Sequence, residues 1–262
     1  MSLVNFEHWA DQCPNLDYDN AYRAVTCQQH KNFINPSRVS PLDVNILYTS
    51  NDHKRAILQC DNVTAVCLSP LLSRDSCILE PSLHALRNKY LTGHYHHQEW
   101  EHFAGFACMV FGHKVMVAQI RDGVLSFGTM GSKADRDSVS PIKQPRNPGI
   151  LSDQPETKWM ASTRIIKANT GFKSLLDTND TIPVYDSCDY LFNFKNDLDC
   201  IAETLLLWHG EIPPNSFVVV TYTMTQYEKD KVFYLSTNII FAILFATEYA
   251  DNFSDVKEEE YA

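Results

Sequence analysis

The sequence predicts a mainly β protein with helices, an α+β fold built on an antiparallel β-sandwich. Segments of strand type follow one another in hairpins and meanders, without strand–helix–strand alternation. The 44% hydrophobic and 21% charged residues are typical of a globular protein with a sizeable core. Because no linker separates two apolar halves, we expect a single domain over 1–262.

The first element is an N-terminal arm over 1–30. Pro14 interrupts it, and its apolar residues are too few to bury the segment by itself. A short helix is expected over 17–29, with Asp17 or Asp19 near its start. The arm either packs loosely or docks on a neighbouring chain.

The core is predicted over 44–247, and it begins with a three-strand meander over 44–68. A helix over 82–90 follows, preceded by Pro81. Three further strands are predicted over 105–111, 114–120 and 124–127. The Asp-Gly pair of 121–123 suits a tight hairpin between the last two.

The second half of the core is predicted to contain a long amphipathic helix over 187–209. Asp186 or Ser187 can cap its start, and Gly210 with the prolines at 213–214 ends it. Its apolar face is defined by residues spaced three and four apart: Leu191, Phe194, Leu198, Ile201, Leu205 and Trp208.

The remaining elements are simpler to assign. Residues 132–156 are predicted to form a long surface loop, and 159–167 a strand. The chain then closes with three strands and an acidic tail, predicted over 217–227, 232–236, 239–246 and 251–262.

Charge and hydropathy exclude two classes of partner. The net charge of −10 is unsuited to specific nucleic-acid binding, which needs a basic surface. The most apolar stretch, 238–247, has about half of the roughly 20 residues that a membrane-spanning helix needs. The N-terminal residues lack the pattern of a secretory signal, so we expect no membrane partner and reduced, mostly buried thiols. Intermolecular disulfides among the eight cysteines remain open.

A run of histidines and glutamates is the densest group of potential metal ligands. On a strand, His94 and His96 share one face; on a helix, His97 and Glu101 converge at i and i+4. In neither geometry do three ligands meet without help from elsewhere, such as His53, His84 or His113. The run therefore reads as a solvated or interface-lining loop, and a metal site is the alternative, with these candidate ligands: His94, His96, His97, Glu99, Glu101 and His102.

No other segment carries a catalytic motif. The stretch 128–133 has two residues between its glycines where a phosphate-binding loop has four, and it enters a proline-rich segment. Ser187, Cys188 and Asp189 stand at the predicted start of a helix, where capping explains Asp186 and Ser187 without chemistry. We assign no catalytic residue and no required cofactor, and we expect the protein not to be an enzyme.

Three segments of the second half carry a family resemblance: 184–190 (VYDSCDY), 202–207 (AETLLL) and 212–217 (IPPNSF). They resemble the C-terminal part of cypovirus polyhedrin, the crystalline occlusion-body matrix protein of insect reoviruses. The segment 85–90 (ALRNKY) looks like its helix, and the order of elements also agrees. The eight cysteines, the histidine run and the acidic tail depart from the family, so no ligand contact is transferred to a residue of this chain.

The resemblance implies a non-enzymatic structural protein with a β-sandwich core and an N-terminal helical arm that grips neighbouring molecules. It implies homotrimers that pack into microcrystals in the host cytoplasm and embed virus particles, and bound nucleotide is possible. The alternatives are a metal-dependent hydrolase or nuclease using residues 94–102, and another viral or insect interaction protein with a β-sandwich.

Dissolution in an alkaline midgut is compatible with the composition. Cysteine, tyrosine and lysine titrate at about 8.5, 10 and 10.4. The chain has 8 cysteines, 12 tyrosines and 13 lysines, so at about pH 11 many more negative charges oppose lattice packing.

Overall fold

The computed structural model describes most of the chain: 9, 11, 13–49, 51–81, 88–121, 123–129 and 175–247. It is mainly β with few helices, which confirms the α+β class. Four predicted elements lie wholly or mostly outside the described residues: the helix over 82–90, the loop over 132–156, the strand over 159–167 and the acidic tail over 251–262.

The described strands form one connected sheet, and the helices are short except for α2. The strands are β1 Gln29–His30, β2 Phe33–Ile34, β3 Asn45–Tyr48, β4 Arg55–Cys60, β5 Val63–Thr64, β6 Val66–Cys77, β7 Tyr90–His94, β8 Val117–Ala118, β9 Ile120–Arg121, β10 Val124–Gly128, β11 Val184–Asp186, β12 Leu206–Leu207, β13 Phe217–Lys229 and β14 Val232–Ala246. The helices are α1 Tyr18–Thr26, α2 His97–Phe111 and α3 Ile201–Thr204, with 3₁₀ turns at Pro41–Asp43 and Leu198–Cys200.

Five strands close into a barrel in the order β6, β7, β10, β14 and β13. The ring closes because β13 pairs with β14 on one side and with β6 on the other, from Phe217↔Leu72 to Tyr222↔Cys67. Beyond Tyr222, β13 leaves the ring and pairs with β4 at 225–227. The predicted β-sandwich consists of two packed sheets, whereas here the strands curl into a closed barrel. Its pairings are antiparallel except that between β10 and β14, which is parallel.

The barrel wall is buried on both faces. Along β13, Val218 and Val220 belong to the apolar cluster inside the barrel, whereas Phe217 and Val219 belong to a second cluster outside it. β6 and β14 alternate in the same way. Burial on both faces explains why these strands are nearly continuous apolar runs in the sequence.

The terminal hairpin confirms the sequence prediction and extends it. The strands expected over 232–236 and 239–246 are one continuous strand, β14, which pairs along almost its whole length with β13. The turn residues Asp230 and Lys231 have φ values of 52° and 64°. Two consecutive positive φ angles are the geometry of a type I′ turn, whose twist matches that of antiparallel strands.

The meander predicted over 44–68 is also confirmed, as β3 to β5 and the start of β6. The strand predicted over 124–127 is β10, and it pairs in a hairpin with β9. The strand predicted over 114–120 is reduced to β8 and the first residue of β9, both two-residue strands.

The strand predicted over 105–111 is wrong, because this segment is the second half of helix α2. Phe103, Phe106, Ala107 and Phe111 are buried at helical spacing, and they join the apolar cluster inside the barrel. Gly112 then ends the helix with a φ of 72°, the left-handed conformation that favours glycine.

The long amphipathic helix predicted over 187–209 is also wrong. The segment contains turns, a 3₁₀ turn and the four-residue helix α3. Side chains compete with helical hydrogen bonds there: the Asn193 amide donates to the Asp197 carboxylate at 2.8 Å, and the Lys195 amide donates to Asn193 Oδ1 at 3.0 Å. The predicted apolar face is still largely buried, through Phe194, Leu198, Ile201 and Leu205, whereas Leu191 is exposed.

The N-terminal arm packs on its own chain. Helix α1 begins at Tyr18 with Asp17 as its N-cap, whose carboxylate accepts from the Asp19 amide at 2.7 Å. Trp9 and Val25 are fully buried in the outer apolar cluster. The described part of the arm is therefore packed and not loose, and the outer wall of the barrel supplies the apolar surface that the arm lacks.

Two glycines provide a matched test of the barrel packing. A Cβ at Gly93 in β7 would collide with the Leu71 side chain and lie 2.6 Å from the Leu72 carbonyl oxygen, whereas a Cβ at Gly105 in α2 meets nothing within 4 Å. We expect Gly93→Ala to lower the free energy of unfolding by about 1–3 kcal/mol, the usual cost of overpacking. Gly105→Ala should be neutral or raise it by up to about 1 kcal/mol.

Urea unfolding of both variants beside the wild type measures this difference. Equal stability of the two variants would contradict the close packing of β7 against β6.

Candidate functional site

The histidine run begins at the end of β7 and continues into the first turns of α2. His94 ends the strand and is largely exposed. Its pKa is lowered by partial desolvation of the ring and by the charge of Arg74. His96 is the N-cap residue of α2, and its ring meets that of Trp9 edge to face at 5.7 Å. His97 and Glu101 are exposed on the helix, with 3.5 Å between Nδ1 and Oε1. The expectation of a loop is therefore wrong, and the i, i+4 convergence of His97 and Glu101 is confirmed.

Glu99 is the exception in this run, because its side chain is fully buried. Its carboxylate forms an ion pair with the mostly buried Arg38 guanidinium. The hydroxyl of Ser37 donates to the Glu99 backbone carbonyl at 2.9 Å. The turn at 35–38 is thus attached to the first turn of α2, and no pattern in the sequence marks Arg38 as a partner of Glu99.

The ion pair between Arg38 and Glu99 is incompletely satisfied. Within the described structure, Arg38 Nε and Glu99 Oε2 have no hydrogen-bond partner. Burial raises the pKa of Glu99, and the charges of Arg38 and His102 oppose that rise. A buried ion pair of this kind costs desolvation energy, so its main effect is to fix how α2 docks on the turn at 35–38.

The structure does not bring the six candidate metal ligands together. His94 stands at a strand end, His96 contacts Trp9, Glu99 faces Arg38, and His97 pairs with Glu101 in solvent. In the ranges that the structure describes, no group of three or more His, Cys, Asp or Glu side chains is placed to hold a metal ion.

Of the three histidines that the sequence suggested as additional ligands, the two that the structure describes contact other residues. His53 packs against the Tyr48 ring at 4.4 Å. His113 stacks on Phe233 at 3.7 Å and hydrogen-bonds Gln226 at 2.8 Å. His84 lies outside the described residues.

A chain of hydroxyl groups lies inside the barrel. Tyr95, between β7 and α2, donates to Ser69 Oγ at 2.7 Å, and Ser69 and Tyr222 share a hydrogen bond of 2.9 Å. Burial raises the pKa values of both tyrosines and of the nearby Cys67. The two tyrosines are neutral hydrogen-bonded partners of Ser69 at pH 7, and these hydrogen bonds hold Tyr95, just before α2, to two strands of the barrel.

The side chains of Asp186 and Ser187 and the glycine at 128 have structural contacts. Ser187 Oγ donates to the Tyr190 carbonyl at 3.0 Å, and Asp186 Oδ1 accepts from the Cys188 amide at 3.0 Å. Asp186 and Ser187 therefore cap a turn and not the start of a helix. Gly128 lies against Asn88, where a Cβ would approach the Asn88 amide nitrogen to 2.6 Å, and residues 130–133 lie outside the described part.

The eight cysteines form no disulfide within this chain. The expectation that they are mostly buried is wrong, because Cys13, Cys60 and Cys67 are buried and the other five are partly exposed. Burial raises the pKa of the Cys27 thiol to about 11, which leaves it protonated at neutral pH.

The outer apolar cluster borders a surface pocket of about 430 Å³. It lies between the C-terminal end of α1 and the turn at 193–195, and its lining includes Arg23, Cys27, Phe194 and Lys195. No pattern in the sequence indicates this pocket, because its two walls are about 170 residues apart and meet only when the arm docks on the barrel.

Comparison with known proteins does not assign the chain to a family. No protein-family model matches it, and no curated protein or solved structure is significantly similar. Within the described residues, none of the helices combines the length and hydropathy needed to cross a bilayer.

The Arg38–Glu99 pair predicts a specific mutational pattern. Arg38→Met should lower the free energy of unfolding by about 3–5 kcal/mol, because it leaves a buried carboxylate without its counter-charge. The double variant Arg38→Met/Glu99→Met should recover most of that loss, since both charges are then removed. A double-mutant cycle in urea checks this, and additive losses would contradict a coupled pair.

The same carboxylate predicts a pH dependence. Because the pKa of Glu99 is raised above its ordinary value of 4.5, the native state holds this proton at pH values where the unfolded chain has lost it. The Glu99 contribution to stability is therefore present below pH 4.5 and is lost as pH rises through the higher native pKa.

The free energies of unfolding of the wild type and of Glu99→Gln are measured between pH 4 and pH 8. Their difference at each pH isolates the contribution of Glu99. Glu101→Gln is the control, because Glu101 is exposed on the next turn of α2. If the wild type became more stable relative to Glu99→Gln as pH rises, the raised pKa of Glu99 would be contradicted.

Proposed function

We propose that this chain is a structural protein that assembles with copies of itself into intracellular microcrystals of the viral occlusion-body type. The segments 184–190, 202–207 and 212–217, which resemble cypovirus polyhedrin, support this proposal. In such crystals the partners of the chain are its own copies, arranged in trimers and a lattice, and the embedded virus particles. The host cytoplasm is the site of assembly, and no cofactor or catalytic step is required.

The observation that carries the proposal is an apolar patch on one face of the sheet beside the β13–β14 turn. Tyr227 stacks on Tyr234 across the hairpin, with ring centroids 5.1 Å apart, and Tyr234 is in register with Val117 of β8. Cross-strand partners point to the same face, so these side chains form one surface. We call this surface the hairpin patch, and its residues are Leu47, Val117, Tyr227, Val232 and Tyr234.

The hairpin patch is exposed and bordered by strand edges. Leu47, Val117, Tyr227 and Val232 are each about two-fifths exposed. In the described part of the chain, β3 pairs only with β4, and β8 pairs only with β14. Exposed apolar side chains beside unpaired strand edges favour association with another chain.

A second copy of this chain is the occupant we propose for the hairpin patch. A contact repeated between identical molecules needs little energy each time, because a lattice multiplies it. The proposal requires a rigid β core with exposed edges, and either the β-sandwich that the resemblance implies or the closed barrel meets that requirement.

Production of the chain in insect cells tests the proposal. We expect birefringent intracellular crystals that persist at neutral pH and dissolve in carbonate near about pH 11, where cysteine, tyrosine and lysine have lost protons. A chelator at neutral pH should leave the crystals intact. Monodisperse protein that diffuses freely at high concentration would contradict self-assembly, and soluble protein with stoichiometric zinc would favour the hydrolase alternative.

Charge substitutions in the hairpin patch test the contact surface itself. Val117→Lys and Tyr227→Lys should abolish or strongly reduce crystals, because each places a charge in the proposed contact. The control is Leu79→Lys, which replaces an exposed apolar side chain just after the C-terminal end of β6, outside the hairpin patch. Unchanged thermal stability of all three soluble chains would show that the folds are intact, and crystals of Val117→Lys as abundant as those of the wild type would exclude the patch as the contact.

A further inference from the structure

The pocket beside α1 is rich in positive charge that the described structure does not neutralise. Arg23 comes from the last turn of α1, and Lys195 comes from the turn on the opposite wall. Neither side chain forms an ion pair with any described residue. The nearby carboxylates are engaged elsewhere, since Asp199 binds Lys31 and His30, and Asp197 accepts from the Asn193 amide at 2.8 Å.

The rest of the lining suits carboxylate groups. Amide and hydroxyl groups of Gln28, Asn193 and Thr26 surround the two cations, and Phe194 forms an apolar wall. With a volume of about 430 Å³, the pocket accommodates several side chains. Guanidinium and ammonium groups bind carboxylates by charge-assisted hydrogen bonds, so an acidic peptide segment is a complementary ligand.

The described chain ends close to this pocket. Phe245, two residues before the last described residue, stacks on Phe194 with 6.0 Å between ring centroids. Thr247 itself is held beside the N-terminal arm, because its carbonyl accepts from the Asn15 amide side chain at 3.1 Å. The exit of the C-terminal segment and the wall of the pocket therefore share the same aromatic contact.

The C-terminal segment has the complementary charge. The acidic tail, 251–262, carries five carboxylate side chains and a single lysine, and three of the carboxylates are consecutive: Glu258, Glu259 and Glu260. Glu258 is the eleventh residue after Thr247, and at roughly 3.3 Å per residue this length of chain spans up to about 36 Å. The run of glutamates is thus within reach of the pocket, because Phe194 of the pocket wall contacts Phe245.

We propose that the acidic tail docks in this pocket on its own chain, with the carboxylates of Glu258, Glu259 and Glu260 bound to Arg23 and Lys195. Single exposed ion pairs contribute little, about 0–1 kcal/mol each. The tether compensates for this weakness, because a short linker gives the tail an effective concentration on the order of millimolar at the pocket. The docked tail also covers Cys27. This proposal does not depend on self-assembly.

Zero-length carbodiimide coupling tests the contact directly, because it joins a carboxylate to an amine only where the two touch. The full-length chain is coupled in solution at low micromolar concentration and low ionic strength, as an equal mixture of ¹⁵N-labelled and unlabelled protein. We expect peptides that join Lys195 to Glu258, Glu259 or Glu260 within chains of one label. The yield should fall severalfold in about 0.5 M salt, since screening weakens exposed ion pairs.

Matched variants identify the pocket as the cause. Arg23→Gln keeps Lys195 as the reporter and should lower its coupling to the tail at least threefold. Arg55→Gln, on the sheet beside the β13–β14 turn, should leave the coupling unchanged. In the triple variant Glu258→Gln/Glu259→Gln/Glu260→Gln, Cys27 should be alkylated severalfold faster than in the wild type, while the partly exposed Cys77 keeps its rate.

Three results would overturn the proposal. They are the absence of Lys195–tail peptides, equal coupling in the wild type and Arg23→Gln, and coupled peptides that join labelled to unlabelled chains. The last result would place the tail on a neighbouring molecule.

Discussion

The pairing of β13 with β6 as well as with β14 is the interaction on which the rest of this structure depends. It turns a meander of strands into a closed five-strand ring, with one apolar cluster inside and another outside. Three wall strands, β6, β13 and β14, are apolar on both faces and contribute residues to both clusters. The outer face needs a cover, which α1 and the segment 192–205 supply.

The same closure positions the groups that sequence reading singled out. β7 delivers Tyr95 to the hydroxyl groups of Ser69 and Tyr222 on two other strands of the ring. The helix that follows is thereby fixed at its start, and Glu99 on its first turn meets Arg38 from the segment before the barrel. The histidine run therefore positions α2 through Tyr95 and Glu99, whereas its imidazoles lie in separate surroundings.

Local patterns predicted those parts of the fold in which local and tertiary preferences agree. The β13–β14 hairpin has long apolar strands and a polar turn, and the meander over 44–68 has turns at regular spacing, so both follow from the sequence. At 105–111 and 187–209 the predicted secondary structure was wrong. An apolar pattern indicates which residues are buried, but the same residues can be buried by a helix, a strand or a series of turns. Phe194, Leu198 and Leu205 are buried as predicted, although the segment forms turns stabilised by Asn193 and Asp197.

Contacts between residues that are far apart in the sequence could not be predicted from it. Nothing near Arg38 indicates its pairing with Glu99, and nothing in α1 indicates that Arg23 shares a pocket with Lys195. The choice between a sandwich and a barrel likewise depends on one long-range pairing, β6 with β13, because strands buried on both faces have the same composition in either architecture.

The hydroxyl groups inside the barrel have a consequence for the chain in strong alkali. Tyr95, Tyr222 and Cys67 are held neutral by burial, so an opened barrel above about pH 10 would release protons that the closed barrel keeps. Opening is then favoured more with each increment of pH, and closing again requires the same protons to be recaptured. A barrel opened in strong alkali is therefore expected to close again when the medium is neutralised, because the same protons then return to the buried groups.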